Sequence, residues 1–356
     1  MKSLISSWNG QCVVVSFDKP TATWMFIAIH DTTLGAAMGG CRLKTYDTPE
    51  DGLLDAMRLA EGMTYKWATI GFDLGGGKSV LATSRPLDGT EREGLFERFG
   101  SLIDSLRGTY ACGPDLGTTP HDMGVIGRST KYVHGVNQKH GQLIDPGPYT
   151  ALGVLSGMQA AVRQVFGSDA LSGRRILIQG AGDVGCPLGE MVAEAGGTVL
   201  VTDMDGEKAQ ALADVIGGTV VPPSECYTTP CDVYAPCAVG ATLNAETIPQ
   251  FGCSIVAGSA NNQLAEEADA GRLHERGILY APDYVINAGG ALALPSLDAG
   301  LATPDELRDR IRGFDAVLTE IFQESAANDV SPLIGAKRAA DRVLSDRRDG
   351  KIRSRA

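Results

Sequence analysis

Apolar residues run together over Cys12–Phe17 and Trp24–Ile29, both rich in β-branched and aromatic side chains, so residues 1–50 read as short strands. Beyond Thr48 and Glu50 the period changes. Leu53, Leu54, Met57, Leu59, Ala60 and Met63 recur at three- and four-residue steps, with Asp55, Arg58 and Glu61 between them, which predicts a helix. Gly75-Gly76-Gly77-Lys78 follows, then a second helical pattern over Glu93–Leu106 with Gly108 placed as a C-terminal stop. Thr150–Phe166 predicts another helix on Ala151, Val154, Leu155, Met158, Ala161 and Val162. Next come a strand (Arg174–Gln179), a helix (about Val184–Ala195) and a strand (Thr198–Asp203). Apolar runs at Val233–Ala235, Ser254–Ala257 and Ile278–Leu279 alternate with helical stretches, and the tail from Pro304 is helical and charged.

Strand and helix alternating in this way predict an α/β fold with a doubly wound parallel sheet. A chain of 356 residues exceeds one ordinary core, so two domains are expected. The irregular stretch 136–149, with Gly141, Pro146, Gly147 and Pro148, reads as the linker. The composition, 43% hydrophobic and 21% charged, is that of a soluble enzyme. A net charge of −12 without a basic run argues against nucleic acid and an anionic membrane as partners. The N-terminus lacks the apolar stretch of a secretion signal, and the eight scattered cysteines show neither C-x-x-C nor metal-ligand spacing. They read as reduced packing residues of a cytoplasmic protein that needs no metal.

Gly180, Gly182 and Gly185 form G-x-G-x-x-G, with Asp183 and Val184 inside it, directly after a strand and opening a helix. The spacing suits a tight turn, close approach of backbone to a pyrophosphate, and close packing of helix on sheet. Asp203 ends the next strand, 18 residues beyond Gly185, where a carboxylate accepts hydrogen bonds from ribose hydroxyls and repels a 2′-phosphate. Asp205 adds to that repulsion. The cofactor expected is NAD, against the plainer reading of a glycine-rich turn with no ligand.

Lys66, in Met63-Thr64-Tyr65-Lys66-Trp67, and Lys78, behind three glycines, are candidate reacting groups, and Lys78 is expected to face a cleft. Asp115 follows Gly113-Pro114 and could equally be a turn residue. These segments, with Gly39-Gly40-Cys41-Arg42, Ile29-His30-Asp31-Thr32-Thr33-Leu34-Gly35, Tyr234-Ala235-Pro236-Cys237-Ala238, Ala260-Asn261-Asn262-Gln263-Leu264 and Tyr280–Gly290, occur in an order that resembles the glutamate/leucine/phenylalanine/valine dehydrogenase superfamily. The last three segments look most like its leucine dehydrogenase branch. The likeness extends along nearly the whole chain.

The resemblance implies NAD-dependent oxidative deamination of an L-amino acid to a 2-oxo acid and ammonia, catalysed between a substrate domain and a nucleotide domain. Lys66 and Asn262 would hold the substrate carboxylate, Lys78 would polarise the water or amino group, and Asp115 would be the general acid and base. Ala235, Pro236, Asn261 and Asn287 would line the nicotinamide side, with Thr150 near the cofactor. Residues 1–140 would form the substrate and oligomerisation domain, 141–324 the Rossmann domain, and helices from about 325–356 would return to the first. A homo-oligomer is implied.

Met38, Gly39, Gly113, Ala291 and Leu294 map onto the side-chain pocket. Glutamate-acting members carry a lysine at the place of Met38, and methionine cannot neutralise a distal carboxylate. Glutamate is therefore disfavoured, and because the overall likeness is closest to leucine enzymes, an aliphatic side chain of the leucine, valine or isoleucine kind is expected. Pro114 before the acid, Gly113 and the Ala291/Leu294 pair look like the phenylalanine and valine branches, which makes an aromatic substrate the alternative. A catalytically idle NAD-binding relative and a non-redox, NAD-using deaminase are the remaining readings. Trp67 departs from the family pattern without an assigned role, and Gly147 stands where relatives often have a hydroxyl residue.

Overall fold

The computed structural model describes residues 1–135 and 144–352, so 136–143 of the expected linker lie outside the described residues. The chain divides into two compact units. One comprises Met1–Ile144, Leu297–Leu301 and Ala340–Ala356, and the other Asp145–Ser296 and Ala302–Ala339.

The first unit runs α1 (Lys2–Ser7), β1 (Cys12–Asp18), β2 (Thr23–Asp31), β3 (Ala37–Thr45), α2 (Pro49–Thr69), β4 (Gly75–Thr83), α3 (Gly89–Ser105), β5 (Tyr110–Pro114) and α4 (Pro120–Gly127). Its sheet has the order β1-β2-β4-β3-β5, with β2 antiparallel to β1 and β4, and β3 parallel to β4 and β5. Residue alternation along β2 sends Met25, Ile27 and Ile29 to a core with Phe96, Phe99 and Ile103 of α3 and Met123 and Ile126 of α4. Phe26 and Ala28 face the other way, onto Leu53, Ala56, Met57 and Ala60 of α2. Of the stripe that the sequence period predicts, the helix buries Leu53, Met57 and Ala60, while Leu59 and Met63 are half-buried and Leu54 is exposed. Thr48 starts it with a capping box to Asp51 and proline in the first turn.

Three features of this unit differ from the sequence reading. The first residues form α1, which buries no residue fully and is too short to show a helical period. β5 and α4 occupy a segment to which no element was assigned. Gly75-Gly76-Gly77-Lys78, likewise assigned no element, opens the central strand β4, buried along its whole length. The glycines serve helix–sheet approach: a Cβ on Gly76 would lie 1.9 Å from Thr64 Oγ1 and 2.4 Å from Thr64 N on α2.

The second unit contains α5 (Gly147–Phe166), β6 (Arg175–Gln179), α6 (Gly185–Glu194), β7 (Thr198–Thr202), α7 (Gly206–Ile216), β8 (Thr219–Val220), β9 (Val233–Pro236), β10 (Ile255–Val256), α8 (Ala268–Glu275), β11 (Leu279–Tyr280) and α9 (Asp283–Ile286). Then follow α10 (Ala288–Asp298), α11 (Pro304–Arg312), α12 (Phe314–Ala327) and α13 (Pro332–Arg348). All six strands are parallel, in the order β11-β10-β9-β6-β7-β8. This is the doubly wound order of a Rossmann fold, whose strand order reverses between β6 and β9.

The return to the first unit begins later than 325. Leu318, Ile321 and Phe322 of α12 and Ala336 of α13 belong to the second unit's core, whereas Ala340 and Leu344 pack with Leu34 and Ala68 in the first. Among the described residues no helix is long and apolar enough to cross a membrane.

Two glycine substitutions should act in opposite directions. Gly76→Ala forces α2 away from β4 and should cost about 1–3 kcal/mol. Gly124→Ala, on the exposed face of α4 with nothing within 4 Å of the added methyl, should stabilise by about 0.5–1 kcal/mol. Urea unfolding midpoints compare them.

Candidate active site

β3 and β5 run side by side, with Gly39 opposite Cys112 and Gly40 opposite Gly113. Pairing of β3 with β4 is interrupted at Gly39 and Gly40 and resumes in the same register at Cys41 and Ser79. Side chains cover the carbonyls there. Trp67 Nε1 donates to Met38 O at 3.2 Å, and the Tyr110 hydroxyl lies 3.2 Å from Gly39 O. Trp67 is completely buried, its ring 5.6 Å from that of Phe72, so the unassigned tryptophan is a strut for the strand carrying Met38. Met63, one helical turn from Trp67 on α2, reaches over Gly39. Lys66 lies between these two contacts in the last turn and is buried.

The turn after β5 carries Asp115. Its backbone N–H donates to Thr118 Oγ1 at 2.9 Å, and Thr118 Oγ1 donates to Cys41 O at 2.9 Å, which pins the turn to β3. Asp115 Oδ2 accepts from Lys78 Nζ of β4 in an ion pair with both side chains largely buried. Asp115 Oδ1 accepts from Arg42 Nε at 2.9 Å and from the Leu116 N–H at 2.7 Å. Burial alone would raise the Asp115 pKa, but the charges of Lys78 and Arg42 outweigh it and hold the carboxyl well below the usual range. Burial pushes the neighbouring Cys41 thiol up to about 12, so it is protonated and unreactive at neutral pH. Lys66, Lys78, Asp115, Met38, Gly39 and Gly113 are all brought together at this end of the first unit's sheet.

The remaining candidates belong to the second unit. Gly180, at φ 105°, turns the chain out of β6, and α6 starts at Gly185. A Cβ on Gly185 would lie 1.8 Å from Gly180 O, while Gly182 has nothing within 4 Å. The turn is therefore closed underneath and open above, with Asp183 and Gly182 exposed, as a pyrophosphate cradle requires. Asp203 follows β7; its Oδ2 accepts from Ala181 N and its Oδ1 from Asp205 N, each at 2.8 Å. Burial opposes its ionisation, but those N–H donors lower its pKa overall, so it presents a negative charge beside the turn.

Ala235 and Pro236 end β9, beside β6 at the reversal of strand order. Asn287 Nδ2 donates to Asn261 Oδ1 at 2.7 Å and to Ser259 O at 3.1 Å, tying the start of α10 to the loop after β10. Asn262 sits in the left-handed region at φ 51°. Thr150 is in the first turns of α5, donating to Pro146 O at 2.9 Å. Ala291 and Leu294 lie three residues apart on α10, and only Leu294 is fully buried.

Residues 17–132 match the family described as Glu/Leu/Phe/Val dehydrogenase, dimerisation domain, and residues 204–295 match Glutamate/Leucine/Phenylalanine/Valine dehydrogenase. The chain is 40% identical to the leucine dehydrogenase of Bacillus cereus across 96% of its own length and 92% of that protein's. The chain belongs to the glutamate/leucine/phenylalanine/valine dehydrogenase family. Within this family of amino-acid dehydrogenases it is also 36% identical to the phenylalanine dehydrogenase of Lysinibacillus sphaericus, over 94% of this chain and 89% of that one. The crystal structure of L-tryptophan dehydrogenase from Nostoc punctiforme shares the fold with a TM-score of 0.85 and 35% identity, covering 98% of this chain and 100% of that one.

Sequence reasoning quoted Arg42 only as part of a motif and gave Asp55 no role beyond a polar helix position. In the structure Arg42 joins the two carboxylates, Asp115 and Asp55. Their separations of 73 and 13 residues carry no local signal.

A Cβ on Gly40 would fall 2.7 Å from Asp115 Cβ and 3.0 Å from Lys78 Nζ. Gly40→Ala should therefore splay the ion pair and lower dehydrogenase turnover roughly 100-fold. Steady-state kcat, with the thermal unfolding midpoint as the folding control, measures the effect.

Proposed function

We propose that the protein catalyses the reversible oxidative deamination of an apolar L-amino acid to its 2-oxo acid and ammonia, with NAD as the hydride acceptor. The observation that carries this reading is the buried Lys78–Asp115 pair, formed between mid-β4 and the turn after β5 and facing Gly40 of β3. Lys66 and Asn262 bind the substrate carboxylate, a charge-assisted contact through the lysine. Lys78 orients the attacking water, and Asp115 passes protons between that water, Lys78 and the departing nitrogen through Oδ2. NAD held by the residues below would supply the acceptor for the hydride released from the substrate Cα. Gly180, Gly182, Asp183, Val184 and Gly185 hold the pyrophosphate and Asp203 the ribose hydroxyls. Ala235, Pro236, Asn261, Asn287 and Thr150 line the nicotinamide side.

Met38, Gly39, Gly113, Ala291 and Leu294 form the side-chain pocket in this reading, and none of them can pair with a distal carboxylate. An aliphatic substrate is the first choice. An aromatic one is favoured by the small residues Gly113 and Ala291, and relatives named phenylalanine and tryptophan dehydrogenase stand at similar identity. The chain is further proposed to work as a cytoplasmic homo-oligomer. The matched dimerisation domain supports association, as does β1, an edge strand with Val15 and Phe17 exposed.

NADH formation across leucine, isoleucine, valine, phenylalanine, tryptophan and glutamate tests the assignment. Glutamate should lie at least about 1,000-fold below the best substrate in kcat/KM; glutamate in first place overturns the pocket. Ala291→Val should lower the phenylalanine-to-valine ratio about tenfold by overfilling the pocket, and an unchanged ratio removes Ala291 from it.

Cofactor choice should rest on Asp203. Asp203→Ser removes charge-assisted hydrogen bonds and should raise the KM for NAD roughly 10- to 100-fold while reducing the preference over NADP. Wild-type enzyme that uses both equally well contradicts the assignment.

A further inference from the structure

We propose that Arg42 is a positioning residue for the acid–base carboxylate: clamped between Asp115 and Asp55, it occupies Oδ1 of Asp115 and leaves Oδ2 as the oxygen that exchanges protons. The proposal rests on Asp115 being the acid–base group of the reaction.

The geometry divides the two carboxylate oxygens. Oδ1 accepts from Arg42 Nε at 2.9 Å and from the Leu116 N–H at 2.7 Å, whereas Oδ2 accepts from Lys78 Nζ. Arg42 is held from behind: its Nη1 donates to Asp55 Oδ2 at 2.8 Å. The same Asp55 oxygen accepts from the Tyr46 hydroxyl at 2.6 Å, and Oδ1 of Asp55 accepts from Arg58 at 3.2 Å. Four charges therefore alternate, Lys78, Asp115, Arg42 and Asp55, drawn from β4, the turn after β5, β3 and α2. Their side chains are 5%, 15%, 11% and 12% exposed, so water screens them little.

A planar guanidinium can direct Nε at one carboxylate and Nη1 at another in fixed directions, which a lysine ammonium cannot do. Leaving Arg42 without partners in this position would be costly, so its two carboxylates also lock its rotamer. Lys78 must turn towards the substrate to act on it. Arg42 has no such task, and it keeps Asp115 oriented and ionised while the lysine moves.

The charges make opposite contributions. Besides Lys78, Asp115 and Asp55, the groups facing Arg42 are the Tyr46 hydroxyl and Arg58, which bear on Asp55, and the adjacent Cys41 thiol, which is uncharged at assay pH. Removing the Arg42 charge makes the pair hold its proton more tightly, so the acid-side fall of kcat/KM moves to higher pH. Removing the Asp55 charge strengthens the field of Arg42 and moves the fall to lower pH.

The experiment measures kcat/KM against pH for the best amino acid in the wild type, Arg42→Gln, Arg42→Lys, Asp55→Asn and Asp115→Asn. NADH binding and thermal midpoints report folding. Arg42→Gln should move the acid limb up by about one pH unit, and Asp55→Asn should move it down by a few tenths. Arg42→Lys should keep the limb near its wild-type position but lower kcat on the order of tenfold, because charge survives and alignment does not. Wild-type limb and kcat in a folded Arg42→Gln overturn the proposal, as do limbs that move the same way in Arg42→Gln and Asp55→Asn. Should Arg42→Gln fail to fold, Asp55→Asn decides, since the asparagine keeps the shape and an accepting oxygen for Arg42; an unmoved limb then overturns the proposal. Asp115→Asn separates the two levels. Near-normal turnover in that variant refutes Asp115 as the acid–base group, whereas a dead Asp115→Asn beside unaltered Arg42 and Asp55 profiles refutes this inference alone.

Discussion

Holding a carboxylate and a lysine out of water at the end of a sheet is the constraint on which the first unit depends. An isolated buried charge is too expensive to keep, so Lys78 and Asp115 are paired, and Asp115 is paired again with Arg42. That arrangement dictates the backbone around it. Gly40 has no side chain because the ion pair fills the space, and the β3–β4 ladder is interrupted at the same point. Trp67 and Tyr110 then supply contacts to the carbonyls of Met38 and Gly39 from the side. The three layers formed by α2, the sheet, and α3 with α4 keep these contacts rigid and dry.

The second unit solves a different problem with the opposite means. A phosphate is attracted by N–H groups at a helix N-terminus and needs no side-chain cation to be held there. Its turn accordingly carries Gly180, Gly182 and Gly185 between β6 and α6, and the Asp203 carboxylate beside it is oriented by the N–H groups of Ala181 and Asp205. One unit concentrates charged side chains, and the other concentrates backbone donors. Buried charges are kept by pairing and backbone donors are bared by glycine, so the two candidate sites rest on different local physics.

Sequence reasoning read well where the signal is local. The helical period of α2 beyond Thr48 and the β6–α6–β7 passage are set by residues a few positions apart, and these elements form where expected. It read poorly where an element is short or its environment distant. α1 is too brief for a period, and Gly75–Gly77 carries no strand signal because glycine is unfavourable in a strand unless something approaches it closely. The approaching groups come from α2 and β5, and a strand's own sequence does not name them.

The α/β alternation and the glycine turn with its acid are legible along the chain alone. Helix period, turn geometry and the charge of a side chain are properties of a few neighbouring residues, so they survive in one dimension. Which oxygen of Asp115 meets Lys78, that Arg42 and Asp55 stand behind it, that Trp67 supports Met38, and where α13 passes from one core to the other emerge from the folded chain. Those relations are distances between segments far apart in the chain, set by the order of strands and by what must be paired once water is excluded.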